Sequence, residues 1–187
     1  MAKFLNTSGV SFFLEELIKR TTDKLILVSP YLQFNDRIKE HIQNLNALKK
    51  DIRIVYRENK LHPDENNWLA NQIGVRTSIC KNLHAKCYIN DTEAIITSMN
   101  LYEFSQLNNN EMGIHITKDA DPELYKDAYA EVQRLLSISE ELRVTVQKID
   151  KKSEAKKSIK DFFSEGNGYC IRTGVAIPFD IKKPLSK

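Results

Sequence analysis

The sequence lacks the features that mark secreted and membrane-spanning proteins. Its three cysteines, Cys80, Cys87 and Cys170, are too few and odd in number for a disulfide framework. No apolar run approaches the roughly 20 residues that span a bilayer. Polar residues 6–9 interrupt the N-terminus where a secretory signal would carry its apolar region. We therefore expect a cytoplasmic protein with no membrane partner.

The composition is typical of a soluble globular domain with a mildly basic balance. The chain has 187 residues, of which 41% are hydrophobic and 28% are charged, enough for one cored domain plus a small appendage. The net charge of +3 is compatible with a polyanionic partner but is weak evidence alone. Much of the excess positive charge lies in residues 148–160. This segment forms either a solvated helix or linker, or a contact with nucleic-acid phosphates. The candidate nucleic-acid-binding residues are Lys148, Lys151, Lys152, Lys156, Lys157 and Lys160.

Helical and strand-like patterns alternate along the first 138 residues. A helical stripe of apolar residues predicts a first helix over 8–21, and Asn35 is a candidate cap for a second helix that buries Ile38, Ile42, Leu45 and Leu48. Further helices are predicted at 62–73, at 102–108 and after Asp121-Pro122, the last with Leu124, Ala128, Val132 and Leu135 on its apolar face. Strands are predicted at 24–32, 51–57, 75–81, 83–90, 93–99 and 112–117. The pattern predicts an α/β domain, residues 1–138, with a mixed sheet between helices, then a charged helical linker, 139–165, and a small tail, 166–187.

The segment LHAKCYIND, residues 83–91, carries the first candidate site residues. On a strand, His84, Lys86 and Tyr88 share one face, while small and apolar residues occupy the other. Packing gives no reason for a buried strand to carry a histidine and a lysine side by side. Asp91 follows at the end of the strand, where it is either a turn residue or part of the site.

Polar residues in the next two strands complete the candidate site. Ser98 and Asn100 share a face, and Glu111 begins a further strand. An imidazole can act as a nucleophile or as an acid–base group, and lysine with hydroxyl and amide donors can bind phosphoryl oxygens. A carboxylate can fix the tautomer of the histidine. The set suits attack on a phosphorus atom.

These residues also resemble the signature of the phospholipase D superfamily. The motif H-x-K-x₄-D occupies residues 84–91, and residues 97–100, Thr-Ser-Met-Asn, stand where the family has a Gly-Ser-x-Asn-type segment. Glu111 lies eleven residues beyond Asn100, as in the family, and Thr97 replaces the usual glycine. The resemblance covers roughly residues 8–138. Within the family, the chain resembles the bacterial members that carry a single motif. It implies a phospholipase D-like fold and the catalytic set His84, Lys86, Asp91, Ser98, Asn100 and Glu111, with an orienting role for Asp91.

The family mechanism, as this resemblance implies it, needs two such motifs. One histidine attacks phosphorus to form a phosphohistidine, and the other protonates the leaving oxygen and then activates water, without a metal or other cofactor. No second H-x-K occurs, because the three remaining histidines lack the lysine two residues later: His41, His62 and His115. We therefore expect a two-fold homodimer in which each chain supplies half of the site.

The cysteines do not predict a metal site. If residues 83–90 form one strand, Cys87 points away from His84, so the two cannot share an ion with Cys80, and buried free thiols are the better interpretation. The tail resembles a degenerate zinc ribbon, but Cys170 is followed by Thr173 where a working C-x₂-C pair needs its second cysteine. We predict no bound zinc.

Three functions stay open at this stage. The first is a metal-independent phosphodiesterase, a nucleic-acid endonuclease acting on DNA rather than RNA. The second is a phospholipase D-type lipid phosphodiesterase, which would need an apolar rim or a membrane anchor that the sequence does not supply. The third is a non-catalytic nucleic-acid-binding dimer that keeps the fold, against which the intact His84 and Lys86 pair argues.

Overall fold

The computed structural model describes residues 1–58, 61–101 and 109–142 with their side chains, and the backbone of 102, 167–169 and 176–178. The chain divides into two compact units, Met1–Val144 and Thr145–Lys187. In the first unit the helices are α1 (Thr7–Lys19), α2 (Asp36–Ala47), α3 (Pro63–Ala70) and α4 (Pro122–Ser137). Its strands are β1 (Lys3–Asn6), β2 (Lys24–Val28), β3 (Leu32–Gln33), β4 (Asp51–Arg57), β5 (Val75–Cys80), β6 (Cys87–Asn90), β7 (Glu93–Thr97), β8 (Leu101–Tyr102), β9 (Met112–Thr117) and β10 (Glu140–Leu142).

An eight-stranded mixed sheet forms the centre of the first unit. Its strand order is β1-β9-β7-β6-β2-β4-β5-β10, and the β3 and β8 strands pair separately. Strands β2, β4 and β5 run parallel to one another, whereas β6, β7 and β9 are joined by antiparallel pairing. The predicted mixed α/β architecture is confirmed.

Helices cover both faces of this sheet. On one face α1, α2 and α3 bury a core that includes Leu14, Ile42 and Leu69. On the other face α4 packs a smaller core around Val132 and Ile89. Each strand at the centre is therefore buried on both sides, which explains the continuously apolar run of β2.

Local sequence signals set the helix starts. The side chain of Asn6 accepts a hydrogen bond from Gly9 N at 2.9 Å, and that of Asn35 accepts one from Ile38 N at 2.9 Å, so both act as N-caps. His62 caps α3 ahead of Pro63, as the sequence predicts. The sequence prediction placed Leu48 and Leu124 on the buried faces of their helices. Both placements are wrong, because Leu48 is 67% exposed and Leu124 is 42% exposed.

Several strand assignments differ from the sequence prediction, and the strand predicted over 24–32 divides into β2 and β3. The strand predicted over 83–90 begins only at Cys87, so residues 83–86 approach the sheet as an irregular segment. β1 pairs with β9 at the sheet edge and was not predicted. β10 adds to β5 beyond the expected domain boundary at residue 138, where a helical linker was predicted.

The second unit is described only in part. β11 (Asn167–Tyr169) and β12 (Ala176–Pro178) pair antiparallel. Residues 143–165, which hold the rest of the predicted linker and its lysines, lie outside the described residues, as do Cys170 and residues 103–108 of the helix predicted at 102–108, whose first residue, Tyr102, belongs to β8.

Candidate active site

The candidate site lies where three adjacent strands end together. β6 and β7 form a hairpin through the two-residue connection Asp91-Thr92, and their pairing continues as Thr97 N donates to Lys86 O at 3.2 Å. β9 lies on the other side of β7, and Ser98 N donates to Met112 O at 3.0 Å. The open end of the hairpin therefore gathers Lys86, Ser98 and the residue before Met112.

His84 and Lys86 are neighbours, although not through strand alternation. The Lys86 Nζ atom donates to the His84 carbonyl oxygen at 2.8 Å and lies 3.5 Å from His84 Nδ1. His84 is exposed and Lys86 is half-buried. Burial lowers the pKa of Lys86 below its usual range, although the negative charge of Glu111 opposes this effect. The charges of Glu111 and Lys86 therefore interact.

Glu111 and Ser98 are bound to each other. The Ser98 hydroxyl donates to Glu111 Oε2 and accepts a hydrogen bond from Met112 N at 3.1 Å. Glu111 Oε1 accepts from Asn109 Nδ2 at 3.2 Å. The strand ends thus place a carboxylate, a hydroxyl and an amide within one hydrogen-bonded group beside the histidine–lysine pair.

Asn100 carries a buried polar atom without a partner. Its Oδ1 atom is buried and accepts no hydrogen bond from the part of the chain that the structure describes. The next residue is held in place because Leu101 N donates to Ser29 Oγ at 3.0 Å. An unsatisfied buried amide oxygen costs free energy unless a ligand or water supplies a donor, so this atom is available for binding.

Asp91 does not join this group. Its carboxylate accepts hydrogen bonds from Thr22 N at 3.0 Å, Thr22 Oγ1 at 2.8 Å, Asp23 N at 2.7 Å and Lys24 N at 2.9 Å. Burial alone would raise the pKa of Asp91, but these donors outweigh it and hold the pKa below its ordinary value. Because the four residues of β6 lie between Lys86 and Asp91, the Cα atoms of these two residues are about 16 Å apart. Asp91 fastens the far end of the hairpin to the chain that enters β2.

Sequence reasoning missed three residues that hold the site in shape. Thr7 Oγ1 accepts from Glu111 N at 2.8 Å, a contact across 104 sequence positions that no local pattern could reveal. Thr97, which stands in place of the family glycine, donates to Met112 O at 2.7 Å and accepts from Met99 N at 3.1 Å. Tyr88 donates to Met99 O at 2.6 Å.

A cavity of about 420 Å³ opens beside this group. Polar residues His84, Lys86 and Ser98 line one part of it, and α4 forms the opposite wall with Val132 and Leu135. The wall nearest to α4 is mainly apolar. A substrate that places its phosphate against Lys86 would therefore meet an apolar surface on its other side.

The described residues form no evident metal centre. Within 1–58, 61–101 and 109–142, no group of three or more His, Cys, Asp or Glu side chains could hold an ion. Cys80 and Cys87 are free and buried in the core under α4, and burial raises the pKa of the Cys87 thiol to about 12. The raised pKa keeps the Cys87 thiol protonated, and therefore weakly nucleophilic, at neutral pH. Among the helices that the structure describes, none has the length and apolar character to cross a membrane.

The chain matches the family model described as cardiolipin synthase, PLD-like domain, over residues 14–136. No curated protein sequence matches it significantly. Its fold is similar to that of Nuc, a phospholipase D family member from Salmonella typhimurium, with a TM-score of 0.64 and 15% identity over 76% of this chain and 99% of Nuc. NucT from Helicobacter pylori has a TM-score of 0.63 and 17% identity over 74% of this chain and 98% of NucT. Phosphatidylserine synthase from Haemophilus influenzae Rd KW20 has a TM-score of 0.59 and 17% identity, covering 75% of this chain and 40% of the synthase.

Proposed function

The chain belongs to the phospholipase D superfamily of phosphodiesterases, and on this premise we propose that it is a metal-independent nucleic-acid endonuclease that acts as a homodimer. The observation that carries the proposal is the gathering of His84, Lys86, Ser98 and Glu111 at one end of three neighbouring strands. This arrangement joins a nucleophile, a cation and hydrogen-bond donors beside an open cavity.

Each group has a role that follows from its chemistry. Lys86 neutralises the non-bridging oxygens of the phosphate, and the Ser98 hydroxyl binds one of them after leaving Glu111. Asn100 adds a further donor, because rotation of its amide by half a turn presents the NH₂ group in place of the unpartnered oxygen. Glu111 then becomes free to accept a hydrogen bond from the N–H of a histidine ring and so to fix the tautomer of that ring.

The reaction proceeds in two displacements. A ring nitrogen of His84 forms a bond to phosphorus while the bond from phosphorus to the leaving oxygen breaks. His84 of the partner subunit protonates that oxygen, then takes a proton from water, and the resulting hydroxide breaks the nitrogen–phosphorus bond. The protein is thereby returned to its starting state, with one phosphodiester hydrolysed.

The exposed surface next to the site supports assembly with a second copy. Phe4, Ile114 and Ile96 are cross-strand neighbours on β1, β9 and β7, and together with Met112 they form what we call the edge strip. Their exposed fractions are 68%, 46%, 43% and 60% for Phe4, Ile114, Ile96 and Met112. A contiguous apolar patch of this kind is typical of a protein–protein interface.

The edge strip also lies where the mechanism needs a partner. Met112 is aligned with Ser98 across the β7–β9 pairing, so a copy that packs on the strip comes close to the catalytic group. A two-fold axis through this region would bring two His84 rings toward one phosphate. Covering the strip supplies both association free energy and the missing half of the site.

A lipid phosphodiester is the second candidate substrate. The apolar wall that α4 contributes to the 420 Å³ cavity, with Val132 and Leu135, would accommodate an acyl or glyceryl group. Nucleic acid remains our first proposal, with DNA ahead of RNA, because the lysine-rich segment 148–160 supplies positive charge for a polyanion.

The decisive experiment is digestion of single- and double-stranded DNA in excess EDTA. We expect cleavage by the wild type, and loss of at least 10³-fold in rate for His84→Ala, because removal of a nucleophile abolishes the covalent step. His62→Ala, which removes an exposed histidine from the start of α3, is the matched control and should keep its activity. Cleavage of a phosphatidylcholine analogue without DNA cleavage would favour the lipid alternative. Salt-dependent DNA binding without turnover would leave only the non-catalytic dimer.

Assembly is tested by mixing subunits. If two His84 residues form each site, equimolar mixing with His84→Ala should lower the activity per wild-type chain to about half, since only dimers of two wild-type chains remain active. Activity that simply follows the amount of wild-type protein would refute the shared site. Ile114→Glu should convert the dimer to monomer in sedimentation velocity, whereas Phe12→Glu, at an exposed position on α1, should not.

A further inference from the structure

A second cavity lies away from the catalytic group. It has a volume of about 590 Å³ and lies between the first turns of α4 and strands β2 and β6. Asp91 lines it, so it lies at the end of β6 opposite to Lys86. Its volume is within the range of small-molecule sites.

The inner surface of this cavity is apolar and aromatic. Ile26 and Ile89 form its floor, and Tyr125 and Tyr129 line the side that α4 supplies. The two tyrosine rings are stacked, with centroids 6.2 Å apart and planes inclined by 17°. Such a wall favours a flat aromatic ligand, because nucleobases and similar rings stack on tyrosine.

Lysines and carboxylates both lie around this cavity: Lys126 Nζ is 3.8 Å from Glu123 Oε2, Lys24 Nζ is 4.0 Å from Asp51 Oδ2, and Asp23 also lines it. Lys118 Nζ is 5.7 Å from the centroid of the Tyr125 ring, and Lys118 forms no ion pair with any described residue. Lys24 Nζ donates to the Tyr129 hydroxyl at 3.4 Å. The carboxylate of Asp91 is already bound by four donors, so it competes little for these ammonium groups.

We propose that this cavity binds a planar aromatic ligand that carries a phosphate, of the class of the nucleoside monophosphates. The ring lies against Tyr129 over the isoleucine floor, and the phosphate is bound by Lys118 and Lys24. The site goes beyond the proposed hydrolysis, since it uses no residue of the catalytic group. It would allow the protein to respond to free nucleotide while its active site is occupied.

Binding is measured by NMR on the full chain with labelled isoleucine methyl groups, which places probes at Ile26 and Ile89. Deoxyadenosine 5′-monophosphate should shift both signals saturably, whereas deoxyadenosine and inorganic phosphate should each bind at least tenfold more weakly. Lys118→Gln should weaken the nucleotide roughly tenfold, the loss of one charge-assisted contact, and leave the nucleoside unaffected. Tyr129→Leu should weaken both ligands.

The control is Lys49→Asn, which removes a distant lysine and retains a residue type that tolerates the positive φ of 58° at that position. This variant should bind deoxyadenosine 5′-monophosphate and deoxyadenosine with the same affinities as the wild type. Absence of shifts at Ile26 and Ile89, or equal binding of inorganic phosphate, would overturn the proposal. The His84→Ala variant separates the two hypotheses. It should retain this binding while losing hydrolysis, and a wild type that binds nucleotide without cleaving DNA would refute the proposed function alone.

Discussion

Asp91→Asn is the substitution that separates a positioning carboxylate from a catalytic one. The sequence motif groups Asp91 with His84 and Lys86, whereas the structure binds it to residues 22–24 at the opposite end of the hairpin. We therefore expect the substitution to lower the free energy of unfolding and to leave the chemical step largely intact.

The magnitude follows from the hydrogen bonds of the carboxylate. Oδ2 accepts from the amide and hydroxyl of Thr22 and from the amide of Asp23, and Oδ1 accepts from the amide of Lys24. Asparagine has one oxygen, so if it replaces Oδ2, its NH₂ group faces the donor of Lys24. One charge-assisted hydrogen bond is lost and three are weakened. We estimate that the free energy of unfolding falls by about 2 kcal/mol as a result. For a domain of this size the melting temperature should fall by roughly 4–8 °C.

The pH dependence of stability gives an independent check. Because the pKa of Asp91 is lowered in the folded protein, its stabilisation is fully present above the unfolded pKa of about 3.9 and is lost as pH falls through the lower folded value. The difference in unfolding free energy between wild type and variant should thus be constant near neutral pH and shrink below about pH 4.

Urea unfolding followed by circular dichroism measures the stability, and metal-free DNA cleavage measured well below the melting temperature gives the rate. Asp23→Asn is the control, because the Asp23 side chain forms no hydrogen bond with the described residues, and it should leave both quantities unchanged. A variant that unfolds like the wild type but loses turnover by orders of magnitude would show that Asp91 acts in the chemistry, contrary to this reasoning.

Three further substitutions test buried contacts of the central sheet. Gly113→Ala should cost about 1–3 kcal/mol in urea unfolding and slow turnover, because an added Cβ would lie 3.0 Å from a backbone oxygen of β7. Tyr88→Phe should cost about 1–3 kcal/mol without changing the denaturant slope, since it leaves the Met99 carbonyl without its donor. Glu93→Gln should cost about 1–3 kcal/mol, because it weakens the buried 2.6 Å contact with His115, while turnover below the transition stays unchanged.

Local signals in the sequence predicted most of the elements correctly. Asn35 and His62-Pro63 mark the starts of α2 and α3 because capping depends only on neighbouring residues. The errors concern packing between distant segments. Leu124 fits the helical period of α4 but lies at the margin of its buried face, and β1 becomes a strand only because β9 offers an edge.

The candidate site was predicted by residue identity better than by geometry. Strand alternation was expected to place His84 beside Lys86, yet the chain before Cys87 is irregular and the pair meets through a contact of Lys86 with the His84 backbone. The contact of Thr7 with Glu111 joins the first helix to a late strand, and such pairs are invisible without the fold. Residue types reveal the chemistry, whereas long-range contacts fix its position.

The spacing of the motif is explained by the hairpin that carries it. The last aligned pair of β6 and β7 is Cys87 with Ile96, and Thr97 N donates to Lys86 O one position beyond it, so Ser98 follows directly after this contact. The count of four residues between Lys86 and Asp91 is therefore the length of β6. Asp91 is part of the motif because it fixes where the chain turns. A single residue inserted after Asp91 would shift the return strand by one position and exchange its two faces. Ser98 would then be displaced from Lys86 although every side chain of the proposed catalytic set was still present, and activity should be lost while much of the fold away from β7 remains.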